Sequence, residues 1–274
     1  CLLLIKVRPV LISLTLPLIV LSVDILTWPK FILSDMIYAF LVLIATYLII
    51  KGVTKNKNYY FYLFLTIFLL LSTRPTSFPI IFAIVFFILI SKYQIVFKPK
   101  MILLLLTTAF IFIPFIYSLI YYFIEFNLSG NARLDFVSNM VKYGMIIHDR
   151  PETWVDEPKN FIDVMYIYFL RLINFFNPYA STFSIAHIAL NVIQIALILF
   201  SIFIWSFFEG HIKIYDKVFL FILLLSFSVA AFHSFTLIDY DWRYRFPLIL
   251  PLLTLFPLSL EILLKKTQVN EKMF

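Results

Sequence analysis

Long apolar runs alternate with short polar segments along almost the whole chain of 274 residues. A helix needs roughly 20 mostly apolar residues to cross a hydrocarbon layer of ~30 Å. The run at 101–124 contains no charged residue and is the clearest segment of this kind. The pattern predicts about eight membrane-spanning helices, at 9–27, 34–50, 58–73, 75–91, 101–124, 183–208, 218–238 and 246–264.

One polar segment is much longer than the others and occupies 125–182. Within it, 160–178 places Tyr, Phe, Leu and Ile at helical spacing around Arg171. This spacing predicts an amphipathic helix that lies in the membrane interface. The alternative interpretation of the same pattern is a ninth, partial span.

The composition supports a membrane protein. Of the residues, 63% are hydrophobic and 14% are charged, whereas a soluble domain is about half apolar and a quarter charged. A chain of this length could not bury so much apolar surface in one globular core. We therefore expect an all-α, polytopic integral membrane protein with a single transmembrane domain over 1–274.

The distribution of basic residues predicts the orientation in the membrane. The net charge is +7, but Lys and Arg occur singly or in twos and threes between apolar runs. They are therefore topology determinants rather than a nucleic-acid-binding surface. Thirteen of the 22 basic residues lie on the side of both termini, 51–57, 92–100 and 209–217. That side is predicted to be cytoplasmic, and the loop 125–182 to face outward.

Several classes of site are excluded by residue counts. The four glycines are too scattered for a phosphate-binding loop. The single cysteine, Cys1, excludes a disulfide framework and a thiolate zinc site. The four histidines are too far apart to form a helical ligand pair. The chain begins with Cys1 inside an apolar run, which is typical of a fragment that lacks its N-terminal part.

Charged and aromatic residues alternate just before the last predicted span. If this segment is extended, its side chains alternate between two faces, and Pro247 favours that conformation at Phe246. Guanidinium groups suit phosphate oxygens, so the segment is predicted to bind phosphate. The alternatives are an aromatic anchor with local ion pairs or a divalent-metal site at the Asp-x-Asp sequence. The charged face carries Asp239, Asp241, Arg243 and Arg245, and the aromatic face Tyr240, Trp242, Tyr244 and Phe246.

Two acids lie on the outer connection between the first two predicted spans. Ser34 is a good helix N-cap, and Asp35 in the first turn suits the helix dipole. Asp35, or Asp24 eleven residues before it, could equally act as a general base.

An Arg-Pro pair separates the third and fourth predicted spans, also on the outer side. Pro75 suits a helix start. Arg74 either extends to the lipid headgroups or contacts phosphate.

The span 183–208 contains three polar residues, His187, Asn191 and Gln194, on one helical face. Polar residues in a span usually join helices.

The order of these features resembles the GT-C superfamily of membrane glycosyltransferases. The resemblance rests on Ser34-Asp35 before an apolar helix, on STRPTSFP at 72–79, and on DWRYRFPLILPLL at 241–253. The more similar members are the bacterial dolichyl-phosphate-mannose-protein-mannosyltransferase-like and aminoarabinose-transferase-like proteins. The last sequence is similar to an Asp-x-Arg-Tyr-x-x-Pro stretch that opens a late helix in many of them.

The resemblance implies inverting transfer of a sugar from a polyprenyl-phosphate carrier to a glycan, lipid or protein acceptor, on the outer face of a bacterial inner membrane. An outer carboxylate would take the acceptor proton, and cationic groups would stabilise the departing phosphate. Asp35 matches the acid of the family's second outer loop, and Arg74 its Arg/Lys-Pro turn. The late motif is matched by Asp241, Arg243 and Tyr244.

The chain departs from the family pattern at one important point. Nothing here corresponds to the principal catalytic acid of the first outer loop, so about the first hundred residues are expected to be missing and the fragment to be inactive.

Two other functions remain open. A lipid-linked sugar flippase or transporter would concentrate ionisable residues near the bilayer midplane, whereas here every acid except Glu261 falls at a span end or in a loop. A polysaccharide polymerase or ligase would use paired arginines in a long outer loop, for which Arg133, Arg150 and Arg171 are candidates.

Overall fold

The computed structural model describes residues 2–22, 25, 33–53, 59–74, 77–92, 100–102, 104–105, 107–109, 111–112, 115–116, 119, 161–179, 183–207, 213–236 and 244–271. This part of the chain contains helices and no strand, which confirms the all-α class. After a 3-10 turn at Leu2–Ile5, the helices are α1 Pro9–Ser13, α2 Thr15–Val20, α3 Leu33–Val53, α4 Tyr59–Thr73, α5 Phe78–Lys92, α6 Phe161–Phe175, α7 Ile185–Phe207, α8 Lys213–Thr236, α9 Phe246–Leu253 and α10 Leu255–Glu271.

Four stretches of the described chain are long and apolar enough to cross a membrane. They are Asp35–Val53, Ile185–Phe207, Ile214–Ser234 and Phe246–Lys265. Shorter apolar helices overlap the other four predicted segments, at Pro9–Val20, Tyr59–Thr73, Phe78–Lys92 and Lys100–Ala109, so the number of eight spans stays a prediction.

Prolines explain why two apolar stretches are each divided into two helices, the first into α1 and α2 and the second into α9 and α10. Pro17 and Pro257 lack the amide hydrogen that would bond to Ser13 and Leu253, four residues before them, and their rings crowd those carbonyls. The first helix accordingly ends at Ser13 and α9 ends at Leu253. At the second break, the hydroxyl of Thr254 donates to the carbonyl of Pro251 at 2.6 Å.

The helices pack around α8, which contacts α5, α6 and α9, while α3 packs on α4 and α9, and α7 packs on α10. Within its apolar window, 72% of α8 is buried, against 28% of α7. Large apolar side chains therefore face outward, as Phe61, Phe64 and Phe68 do on α4. Apolar exposure on this scale is typical of a protein surface that contacts lipid.

The helix predicted within the long loop is confirmed at Phe161–Phe175. Its buried residues recur at helical spacing and form one face, which packs on α8. This face contains Ile167, Tyr168, Arg171, Leu172 and Phe175. Its interfacial position stays a prediction, and residues 125–160 of the loop lie outside the described residues.

Candidate functional site

A buried ion pair joins α3 to the segment that follows α4. Asp35 lies in the first turn of α3, and its carboxylate contacts the guanidinium of Arg74. The side chain of Asp35 is 1% exposed and that of Arg74 is 16% exposed. Tyr38, one helical turn beyond Asp35, lies 5.6 Å from the guanidinium and adds a cation–π contact.

This pair corrects two of the alternative interpretations. Arg74 is directed to a buried carboxylate rather than to lipid headgroups, because an arginine can satisfy its charge more completely in an ion pair. Ser34 is not the N-cap, because α3 already begins at Leu33. Asp35 does occupy the first turn, where a negative charge suits the helix dipole. Asp24 lies outside the described residues.

Ser77 shapes the turn that presents Arg74. Its hydroxyl is fully buried and lies 2.6 Å from the carbonyl of Leu70 and 2.7 Å from that of Arg74. The backbone amide of Ser77 also donates to the Arg74 carbonyl at 3.1 Å. These contacts hold the backbone of the turn after α4 in one conformation. Arg74 lies in this turn, and its guanidinium contacts α3.

His233 lies near the end of α8 and stacks on two aromatic rings. Its ring stacks on Tyr244 with centroids 4.2 Å apart, and on Phe175 with centroids 6.0 Å apart. Arg74 is close enough to His233 to interact with it electrostatically. One end of the bundle therefore brings together residues from three helices and two connecting segments. The helices are α3, α6 and α8, and the segments are those directly before α5 and α9.

Arg245, directly before α9, contacts the backbone that follows α6 at this end of the bundle. Its side chain is buried, and Nη1 donates to the carbonyl of Asn177 at 3.1 Å. The next carbonyl, that of Pro178, accepts from Nδ2 of Asn191 on α7 at 3.3 Å. Two consecutive carbonyl groups are thus held by side chains from two other elements.

The segment 239–246 is not extended at its C-terminal end. Arg245 has helical dihedrals (φ −80°, ψ −28°), and α9 begins at Phe246. The Leu248 amide donates to the Arg245 carbonyl at 2.9 Å. Pro247 is accommodated in this first turn because its missing amide hydrogen would have no helical partner there. The remaining charged residues of the segment lie outside the described residues: Asp239, Asp241 and Arg243.

Arg171 is a buried cation at this end that the sequence analysis did not assign to the phosphate site. It is 4% exposed and lies about one turn from both Tyr168 and Phe175. The hydroxyl of Tyr168 lies 3.3 Å from the carbonyl of Ala231, and Phe175 stacks on His233. Arg171 therefore shares the face of α6 that packs on the last two turns of α8. The available signal was its spacing of four from Ile167 and Phe175 on an amphipathic helix.

An apolar groove of about 540 Å³ adjoins this group of residues. It lies between α5, α8 and the apolar helix at Lys100–Ala109. On α8 its lining extends from Leu220 to Phe232, the residue before His233, which corresponds to about 18 Å along the helix. Other lining residues include Phe82, Phe86, Leu105 and Phe227.

A second buried carboxylate, on α10, lies near the first turn of α8, where Nζ of the neighbouring Lys265 donates to the Tyr215 hydroxyl at 2.7 Å. Glu261 is 1% exposed and lies 3.4 Å from Nε of Arg8 and 3.5 Å from Nζ of Lys265. Nearby, the indole of Trp205 donates to Asp216, in the first turn of α8, at 2.8 Å. We call the first region the Asp35 end; it contains Asp35, Arg74, His233, Tyr244 and Arg245. We call the second region, around Glu261, the Glu261 end.

The chemistry of the Asp35 end favours an anionic, amphiphilic ligand. Arginines suit phosphate oxygens, and the neighbouring groove suits a long apolar chain. Within the described ranges, no three His, Cys, Asp or Glu residues are placed to hold a metal ion. Comparison with family models, with characterised proteins and with solved structures finds no match to this chain.

Proposed function

We propose that this protein is a membrane glycosyltransferase that moves a sugar from a polyprenyl-phosphate donor to an acceptor at the outer membrane face. The observation that carries the proposal is the buried Asp35–Arg74 pair, at the end of the bundle where the lining of the apolar groove reaches Phe78 and Phe232. Ionisable groups within membrane-embedded helices are costly and usually functional. The groove supports the polyprenyl part of the proposal, because it offers an apolar chain a path beside the cations.

The two members of the pair have complementary roles in this proposal. Arg74 and Arg245 bind the phosphate, and their charge stabilises it as the sugar departs. Asp35 orients Arg74 before the donor binds. When the phosphate draws the guanidinium away, the carboxylate becomes available to take the proton of the acceptor hydroxyl.

The proposed membrane arrangement follows the distribution of charge. The protein has eight spans in a single transmembrane domain of a bacterial inner membrane, with both ends of the chain in the cytoplasm and 125–182 in the periplasm. The Asp35 end then faces the periplasm. Its partners are the lipid-linked donor, the surrounding lipids and a glycan, lipid or protein acceptor.

The test compares two carboxylates that are equally buried and that each contact an arginine. In the full-length protein, Asp35→Asn should lower transfer of labelled hexose from polyprenyl-phosphoryl hexose to isolated cell envelopes by about 10²-fold, within the range for lost acid–base catalysis. Glu261→Gln removes the matching charge at the opposite end and should leave transfer within about threefold. Variant amounts are equalised by immunoblotting of the membrane fraction.

Three outcomes would contradict the proposal. Equal losses in the two variants would mean that both ion pairs only hold helices together. A full-length wild-type protein that binds the donor lipid but transfers no sugar would instead be a flippase or transporter. If transfer requires a diphosphate-linked donor, the protein is a polymerase or ligase.

A further inference from the structure

Two buried amides on α7 face the same region as Arg245. Asn191 and Gln194 are 2% and 7% exposed, and their spacing of three places them on one helical face. Asn191 donates through Nδ2 to the carbonyl of Pro178, the residue after the one that Arg245 contacts. Adjacent Cα atoms are about 3.8 Å apart, so the guanidinium and the Asn191 amide approach neighbouring points of the same backbone.

Each amide has one atom that is not satisfied. Within the part of the chain that the structure describes, Oδ1 of Asn191 and Nε2 of Gln194 have no hydrogen-bond partner. Leaving such a group buried and unpaired lowers the stability of the fold. Helix association alone does not require this cost, because an apolar side chain would pack on α10 without it.

The unsatisfied atoms are of opposite kinds, an acceptor on Asn191 and a donor on Gln194. A hydroxyl group is both a donor and an acceptor, so one hydroxyl placed between the two side chains would satisfy both. An anion would be repelled by the carbonyl oxygen of Asn191, and a cation by the amide hydrogens of Gln194. The pair therefore suits a neutral, hydroxylated group.

We infer that Asn191 and Gln194 form a sugar-binding subsite that recognises a hydroxyl of the hexose carried by the lipid phosphate. This inference rests on the proposed function and adds the residues that distinguish a glycosylated carrier from the bare one. Arg245 holds the phosphate, and the sugar extends from it past Asn177 and Pro178 towards α7.

Binding of two lipids of equal chain length tests this subsite. The protein is reconstituted in nanodiscs, and its affinities for polyprenyl phosphate and for polyprenyl-phosphoryl hexose are compared. The wild-type protein should bind the hexosyl lipid about tenfold more tightly, since two neutral hydrogen bonds are worth roughly 1–2 kcal/mol. Gln194→Leu and the milder Gln194→Met should remove most of this preference and leave the affinity for polyprenyl phosphate within about twofold.

Ser201→Ala is the matched control, because Ser201 is fully buried on α7 and its hydroxyl is 3.4 Å from that of Ser259 on α10. It should preserve the preference for the hexosyl lipid. If Ser201→Ala abolishes the preference as Gln194→Leu does, the effect reflects helix packing and the inference is wrong. Equal binding of both lipids by the wild-type protein also overturns the inference, because the amides then hold only buried water, and the phosphate site stands. Binding of neither lipid overturns the proposed function itself.

Discussion

At the scale of single residues, the sequence identified the charged groups but not their contacts. Asp35 and Arg74 were recognisable because each is an isolated charge at the end of an apolar run. Their ion pair was not, because it depends on how α3 packs on α4. His233 gave no local signal, since a single histidine near the end of an apolar helix is usually a packing residue.

Arg245→Lys provides a test of the phosphate contact at this scale. Lysine keeps the charge but cannot donate in the planar, bidentate manner of a guanidinium. We expect polyprenyl phosphate to bind about tenfold more weakly, the equivalent of one charged hydrogen bond. The measurement is lipid affinity in nanodiscs, and we expect the same of Arg243→Lys, which lies outside the described residues.

Arg8→Lys is the control for this substitution, because Arg8 pairs with Glu261 at the opposite end. Its affinity for polyprenyl phosphate should stay within about twofold of wild type. Unchanged affinity in both Arg243→Lys and Arg245→Lys would mean that the segment only anchors the protein in the interface.

At the scale of helices, hydrophobic periodicity was enough to locate elements but not their ends. The segment 218–238 was predicted as a span, whereas α8 begins five residues earlier, at Lys213. Apolar content does not report this start, because the first turn of α8 contains Asp216, which pairs with Trp205. The α6 helix was located to within three residues, since its alternation of polar and apolar faces is strong.

The packed face of α6 can be tested with two adjacent residues. Leu172 is 2% exposed against α8, whereas Ile173 is 59% exposed. Leu172→Asn buries an unpaired amide and removes apolar contact, which should cost about 3 kcal/mol. Amide hydrogen exchange within Phe161–Phe175 should then accelerate by about 10²-fold, because exchange reports local opening.

Ile173→Asn should change this exchange by less than about tenfold, because the side chain does not contact α8. The opposite order, with Ile173→Asn the more damaging variant, would mean that lipid covers Ile173 deeply. In that case α6 is a partial span rather than a helix docked on α8.

At the scale of the whole molecule, the Asp35 end and the Glu261 end lie at opposite ends of α8. Asp216 and His233 mark its ends, about 26 Å apart along the helix axis. The sequence could predict that charges lie at span ends, because lipid excludes them from the midplane. It could not predict the groove, because that space depends on how the helix at Lys100–Ala109 lies against the packed pair of α5 and α8.

The last prediction is the orientation of the protein in the membrane, that is, which end of α8 faces outward. The proposed outward site depends on it. The charge distribution places 125–182 outside and 51–57 inside. In a Cys1→Ser background, cysteines at Ser138 and Asn160 should react with an impermeant thiol reagent in intact cells, and a cysteine at Lys55 only after permeabilisation. Labelling is measured by the mass shift of the purified protein. Reaction of Lys55→Cys in intact cells would reverse the orientation. The Asp35 end would then face the cytoplasm, and transfer on the outer surface would be ruled out.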